Sequence, residues 1–214
     1  MRSDAVSRTP GGVSVAVWVK VCGLTTPAAV AAAVGAGVDA VGFVFAESKR
    51  RVTPQRAAEL AANVPAHIAR VAVMLHPSQA ELDEVWTTFQ PDVLQTDIED
   101  LAALRIPNGM VVTPVVRAGR ELPKALPSRM LFEGPVSGTG TTTDWSAAAQ
   151  LASRTQLILA GGLKPANVAD AIAAARPFGV DVSSGVETEP GLKDPAKIHE
   201  FVRIARAVGN GVTK

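Results

Sequence analysis

Apolar, β-branched segments recur about eight times along this chain, and each is followed by a glycine or polar turn and then a stretch of helix-forming composition. Strand–turn–helix units at intervals of roughly twenty to thirty residues suit a parallel sheet, whose neighbouring strands need a long crossover connection. The strand-like segments are Val15–Val21, Ala40–Phe45, Ile68–Leu75, Val93–Gln95, Met110–Val116 and Met130–Phe132, then LILAGG from Leu157 and GVDVSSG from Gly179. Most are apolar at nearly every position, as strands buried on both faces must be. Thr25 or Thr26 with Pro27, Thr53 with Pro54, and Ser78 supply helix starts, while Gly35 and Gly37 stop the first helix. After the fifth segment, two prolines in RAGRELPKALPS predict a short or missing helix. No G-x-G-x-x-G follows the first strand, which argues against an open dinucleotide-binding sheet. Eight units in 214 residues predict a single-domain α/β fold, a closed (β/α)₈ TIM barrel over residues 15–210, preceded by a flexible polar leader at 1–14.

Composition narrows the function classes. Hydrophobic residues make up 47% of the chain and aromatics 4%, with no tyrosine, so the core is built from Ala, Val, Leu and Ile. A formal charge of +1 with dispersed Lys and Arg suggests neither a nucleic-acid nor a membrane surface. Cys22 is the single cysteine, which precludes an intrachain disulfide and suits a reducing cytoplasm. His67, His76 and His199 lack metal-ligand spacing, and Trp18, Trp86 and Trp145 read as packing residues.

The candidate site follows from barrel geometry, in which polar residues at the carboxyl ends of strands face the active site. Those residues are Cys22, Arg50 in the second loop, Gln95, Thr96 and Asp97, Glu133, Asp181, and Ser183 with Ser184. The turns Gly161-Gly162 and Ser184-Gly185 close the last two strands, where barrels commonly bind phosphate through bare backbone N–H groups and a helix dipole. They also read as ordinary strand–helix turns. Cys22 reads either as a small buried hydrophobe or as a thiolate base. Glu133 reads either as a solvated rim carboxylate or as a partly desolvated acid, and Arg50 as a loop charge or a fork for a substrate carboxylate. A base, an acid and a phosphate anchor indicate proton movement on a sugar phosphate without cofactor or metal. Residue types alone leave the reaction open.

With these residues placed, the chain resembles the phosphoribosylanthranilate isomerase family, (β/α)₈ enzymes of tryptophan biosynthesis. The likeness runs from about Val19 to Ala207 and is carried by KVCGLT (Lys20–Thr25), DAVGFVF with SKRRV (Asp39–Val52), GTGTTTDW (Gly138–Trp145), LAGGLKPANV (Leu159–Val168) and VDVSSGVETEPGLKD (Val180–Asp194). The resemblance implies an Amadori rearrangement of N-(5-phosphoribosyl)anthranilate to 1-(2-carboxyphenylamino)-1-deoxyribulose 5-phosphate. It implies Cys22 as general base, Glu133 as general acid and Asp181 as support for the reacting nitrogen or the base. Arg50 would hold the anthranilate carboxylate, Gln95 would contact substrate, and Gly161, Gly162, Ser184 and Gly185 would hold the phosphate. The expected partner is this small phosphosugar-anthranilate substrate, and the expected state is a cytoplasmic monomer or homodimer.

Two positions depart from the family pattern. The sixth strand ends in Glu133 where members carry aspartate, and the fourth reads QTDI (Gln95–Ile98) where members read QLHG. These departures motivate an alternative reading, a catalytically impaired phosphosugar-binding barrel serving as a binding or scaffold partner. A histidine-pathway or dual-substrate isomerase would instead carry aspartates at the ends of the first and fifth strands, where this chain has Cys22 and the Val115-Val116 region.

Overall fold

The computed structural model describes residues 16–135 and 143–209. The leader at 1–14 lies outside the described residues, as does the GTGTT stretch at 138–142 after the sixth strand. Eight strands form the barrel: β1 (Trp18–Cys22), β2 (Ala40–Val44), β3 (Ala69–Val73), β4 (Val93–Asp97), β5 (Val111–Arg117), β6 (Arg129–Glu133), β7 (Gln156–Leu159) and β8 (Gly179–Val182). They pair in sequence order, all parallel, and β8 returns to β1, which closes the sheet.

Six α-helices cover the outside: α1 (Pro27–Ala36), α2 (Pro54–Ala61), α3 (Gln79–Phe89), α4 (Trp145–Ala152), α5 (Val168–Ala175) and α6 (Pro195–Gly209). Their starts are set by side chains that accept from first-turn N–H groups: Thr26 for α1, Thr53 for α2, Ser78 with Glu81 in a reciprocal capping box for α3, and Asp144 for α4. Gly37 ends α1 in the left-handed region at φ 77°. The fourth unit has only a 3₁₀ segment, Ile98–Ala102, and no helix is found between β5 and β6, in line with the prolines there. The sequence pattern did not suggest the small antiparallel hairpin β9 (Glu187–Glu189) and β10 (Leu192–Lys193) that follows β8. Three- and two-residue strands are too short to carry a readable alternation.

Alternation along each strand sorts residues between two cores. Outward positions such as Val19, Val21, Phe43, Leu94, Phe132, Leu157 and Val180 join the helices in one large cluster. Inward positions Val115, Leu131, Ile158 and Ala160 form a smaller cluster against Trp18 and Phe178. These two rings stack 6.3 Å apart at the barrel floor. Gly179 is required beside them, because a Cβ there would lie 2.8 Å from the Trp18 carbonyl oxygen and 2.9 Å from its ring. Strand register then builds upward from that floor: Trp18 opposite Gly179, Lys20 opposite Asp181, and Cys22 at the mouth opposite Gly42. Below the floor, Arg206 of α6 fastens helix to barrel by donating to the carbonyls of Val17 and Gly37 and to Asp39, which also accepts from the Val19 N–H.

Candidate active site

The strand ends open into one cavity of about 690 Å³, within the size range of small-molecule sites. Of the expected site residues, Cys22, Arg50, Gln95, Glu133, Asp181 and Ser184 all line it. Gly161, Gly162 and Gly185 do not. They belong to two turns that touch, since a Cβ on Gly185 would fall 1.9 Å from the Leu163 carbonyl oxygen. Gly161 and Gly162 have φ of 90° and 65°, and among the described residues neither N–H finds a backbone carbonyl acceptor. Thr96, named with the fourth-strand residues, faces the helix side and donates to Asp100. His76 likewise pairs with Asp100 outside the cavity.

Three buried ion-pair systems surround the cavity. In the first, Lys20 Nζ lies 3.0 Å from Asp181 Oδ1, with both side chains almost wholly buried. Burial disfavours the Lys20 charge, but Asp181 and the neighbouring Cys22 hold Lys20 above the usual lysine range. Burial pushes the Cys22 thiol up, while the Lys20 ammonium draws it back down.

The second system joins three strands. Arg117 at the end of β5 donates Nε and Nη2 to Asp97 of β4 at 3.0 and 2.7 Å, and Nη1 to Glu133 of β6 at 2.7 Å. Although burial opposes its charge, the two carboxylates hold the guanidinium above the ordinary arginine value. The sequence reading ended the fifth strand at Val116 and so missed Arg117. The available signal was the alternation itself, which carries the inward face from Val115 to Arg117.

In the third, Arg50 donates Nε and Nη2 to the two oxygens of Glu187 at 2.7 and 2.9 Å. Lys193 donates to the same carboxylate at 2.6 Å and to the Ser183 carbonyl and hydroxyl, and the Ser183 hydroxyl donates to the Cys22 carbonyl. Neither Glu187 nor Lys193 was expected, because the hairpin that presents them has no sequence signature. Gly191 at its tip approaches the second loop so closely that a Cβ would lie 2.7 Å from the Lys49 carbonyl oxygen.

Burial works against the Glu187 charge, but Arg50 and Lys193 hold its carboxyl at about 2 instead of the ordinary 4.5. A carboxyl lowered by folding adds stability that is present above its unfolded value and lost as pH falls through the folded one. Glu187→Gln is therefore expected to destabilise the protein strongly near neutral pH and much less at about pH 2, as read by urea unfolding at each pH. An equal loss at both would show that the Glu187 charge contributes nothing to the hairpin.

Among the described residues no three His, Cys, Asp or Glu side chains gather as a metal site, and no helix is long and apolar enough to cross a membrane. Fold and mouth together define the class, a (β/α)₈-barrel enzyme whose functional groups lie at the carboxyl ends of its strands.

Comparison with known proteins narrows the class to a family. The family model described as N-(5′-phosphoribosyl)anthranilate (PRA) isomerase matches residues 19–204. An N-(5′-phosphoribosyl)anthranilate isomerase of Streptococcus pneumoniae is 39% identical over 198 residues, covering 92% of this chain and 98% of that one. One from Listeria monocytogenes is 38% identical, covering 89% and 98%. Among solved structures, TrpF from Jonesia denitrificans superposes with a TM-score of 0.76 at 40% identity, covering 90% of this chain and 98% of that one. Phosphoribosyl anthranilate isomerase from Thermotoga maritima gives 0.78 at 33%, covering 89% and 99%. This chain belongs to the N-(5′-phosphoribosyl)anthranilate isomerase family.

Proposed function

We propose that this chain catalyses the Amadori rearrangement of N-(5-phosphoribosyl)anthranilate to 1-(2-carboxyphenylamino)-1-deoxyribulose 5-phosphate, with Cys22 as base and Glu133 as acid. The observation that carries the assignment is the presence of both groups, one on β1 and the other on β6, in a single cavity with Arg50 at its rim. A family relative solved with the reduced product, 1-(o-carboxyphenylamino)-1-deoxyribulose 5-phosphate, supports the ligand class; it is 31% identical with a TM-score of 0.74.

Glu133 gives its proton to the furanose ring oxygen, and the ring opens to a Schiff base. The Cys22 thiolate then takes the proton from C2′, and the resulting enolamine tautomerises to the ketone. The backbone N–H groups of Gly161, Gly162, Ser184 and Gly185 hold the phosphate, drawing on the exposed donors of two abutting turns. Arg50 is held rigid by Glu187 through Nε and Nη2. Its Nη1, which has no hydrogen-bond partner among the described residues, takes the anthranilate carboxylate. Asp181 supports the reacting nitrogen or the base, and Gln95 contacts substrate beside the acid.

Charge balance favours this division of labour. Lys20, Arg50, Arg117 and Lys193 face Asp97, Glu133, Asp181 and Glu187 in the ion pairs of the mouth. The working form, thiolate with protonated Glu133, differs from thiol with ionised Glu133 only in where one proton sits. Reaching it therefore leaves the net charge of the cavity unchanged, which limits the desolvation cost.

Purified protein given freshly made N-(5-phosphoribosyl)anthranilate is expected to consume it in a fluorescence assay and form the ribulose product. Tight binding of a product analogue with no turnover would instead support the impaired, phosphosugar-binding reading. The cytoplasm is the proposed location, and a monomer or homodimer the proposed state; a dimeric form is known for the Thermotoga maritima relative.

A further inference from the structure

Lys20 is among the largest fully buried side chains of the protein, yet nothing above gives it a direct part in the reaction. A charge in a barrel interior is costly unless paired, and even a paired one is often no better than hydrocarbon of the same volume. At other inward positions below the mouth hydrocarbon does fill the space, with Val115, Leu131, Ile158 and Ala160. The Lys20–Asp181 layer is therefore an exception that packing does not explain.

Its position suggests a use. Lys20 and Cys22 lie two apart on β1 and point to the same face, with the lysine one layer deeper. Both lean into the gap left by Gly42 of β2, where a Cβ would lie 3.0 Å from Cys22 Sγ and 3.0 Å from Lys20 Cε. Asp181, opposite Lys20 in register, accepts from Nζ at 3.0 Å and anchors the ammonium.

We propose that Lys20 is a positioning residue for the base, its ammonium anchored by Asp181 so as to serve as the counter-charge of the Cys22 thiolate. The proposal rests on the reading of Cys22 as base. The charged groups that act on the sulfur are Lys20 from β1, Asp181 from β8, Lys193 from β10 and Arg50 from the second loop. Lys193 is committed to Glu187 and Ser183, and Arg50 to Glu187. Lys20 gives one hydrogen bond to one carboxylate oxygen, and an ammonium has three hydrogens to offer. Asp181 alone would oppose a thiolate, so the pair helps the base only because the attraction of Lys20 outweighs that repulsion.

The chain has one cysteine and no tyrosine, so thiolate absorbance in an alkaline titration reports Cys22 alone and needs no turnover. In Lys20→Gln, which keeps a donor toward Asp181, the midpoint is expected to rise by roughly one to three pH units, the usual effect of a nearby opposite charge. The acid limb of kcat/KM should move up with it. An unchanged midpoint in folded Lys20→Gln would overturn the proposal. If circular dichroism shows that Lys20→Gln does not fold, the comparison passes to Asp181→Asn and the double variant Lys20→Gln/Asp181→Asn, which has no charge in this layer. A higher midpoint in the double variant supports the proposal, and equal midpoints overturn it. Because the titration does not depend on activity, its failure is distinct from that of the base assignment, which Cys22→Ser turnover decides.

Discussion

Cys22→Ser is expected to lower kcat by about two to four orders of magnitude, the range that a positioned general base contributes. The substitution removes one polarisable atom from a buried position at the end of β1 and leaves the strand register, the Ser183 hydrogen bond to the residue 22 carbonyl and the phosphate turns in place. Affinity for a phosphate-bearing product analogue should therefore stay nearly unchanged. A serine hydroxyl is far harder to ionise than a thiol, and Lys20 beneath it cannot supply the difference. Steady-state kinetics on the variant, with analogue binding measured alongside, separates the two quantities. Wild-type kcat in Cys22→Ser would remove the sulfur from the reaction.

Glu133→Gln is expected to cost a similar factor, because the amide cannot deliver a proton to the ring oxygen. Its cause is less simple than a missing acid. Arg117 holds Glu133 with Nη1 and Asp97 with Nε and Nη2, so the two family departures, Asp97 on β4 and Glu133 on β6, meet on one guanidinium. Compared with aspartate, the extra methylene of glutamate carries the carboxyl about 1.5 Å further from the backbone, one carbon–carbon bond. A displacement near 1 Å at a reacting centre can cost about a hundredfold. Glu133→Asp thus separates two accounts of the glutamate. A fall in kcat means that the Arg117 bridge requires its length, and a rise means that the longer side chain is tolerated and not needed. Full activity in Glu133→Gln would move the acid role to Asp97 or Asp181.

Most of the architecture was legible because strand and helix signals agreed along the chain. Saturated apolar runs marked buried parallel strands, while Thr25 or Thr26 and Thr53 with their prolines, and Ser78, marked helix starts, which the structure caps with Thr26, Thr53 and Ser78. The mouth was readable as far as it obeyed one rule, that strand ends face the site. That rule found Cys22, Gln95, Glu133 and Asp181. It could not find what depends on how side chains from different strands meet. Arg117 fell in the segment after the fifth strand until β5 proved one residue longer at its carboxyl end, and Lys20 stood only as the first residue of KVCGLT until register set it against Asp181. Glu187 and Lys193 were hidden for another reason, since β9 and β10 are held by tertiary contacts with the second loop and with Thr25 and not by their own propensity.

Everything proposed for the chemistry requires that one bound molecule span the thiol, the glutamate and the two terminal turns at once. A crystal structure with the reduced product, 1-(2-carboxyphenylamino)-1-deoxyribulose 5-phosphate, measures that directly. The sugar C2′ should lie in contact with Cys22 Sγ, the oxygen released from the ring should face Glu133, and the phosphate should rest on the N–H groups of Gly161, Gly162, Ser184 and Gly185. A ligand whose phosphate occupies those turns while C2′ lies out of reach of the sulfur would contradict the assignment of Cys22 as the base.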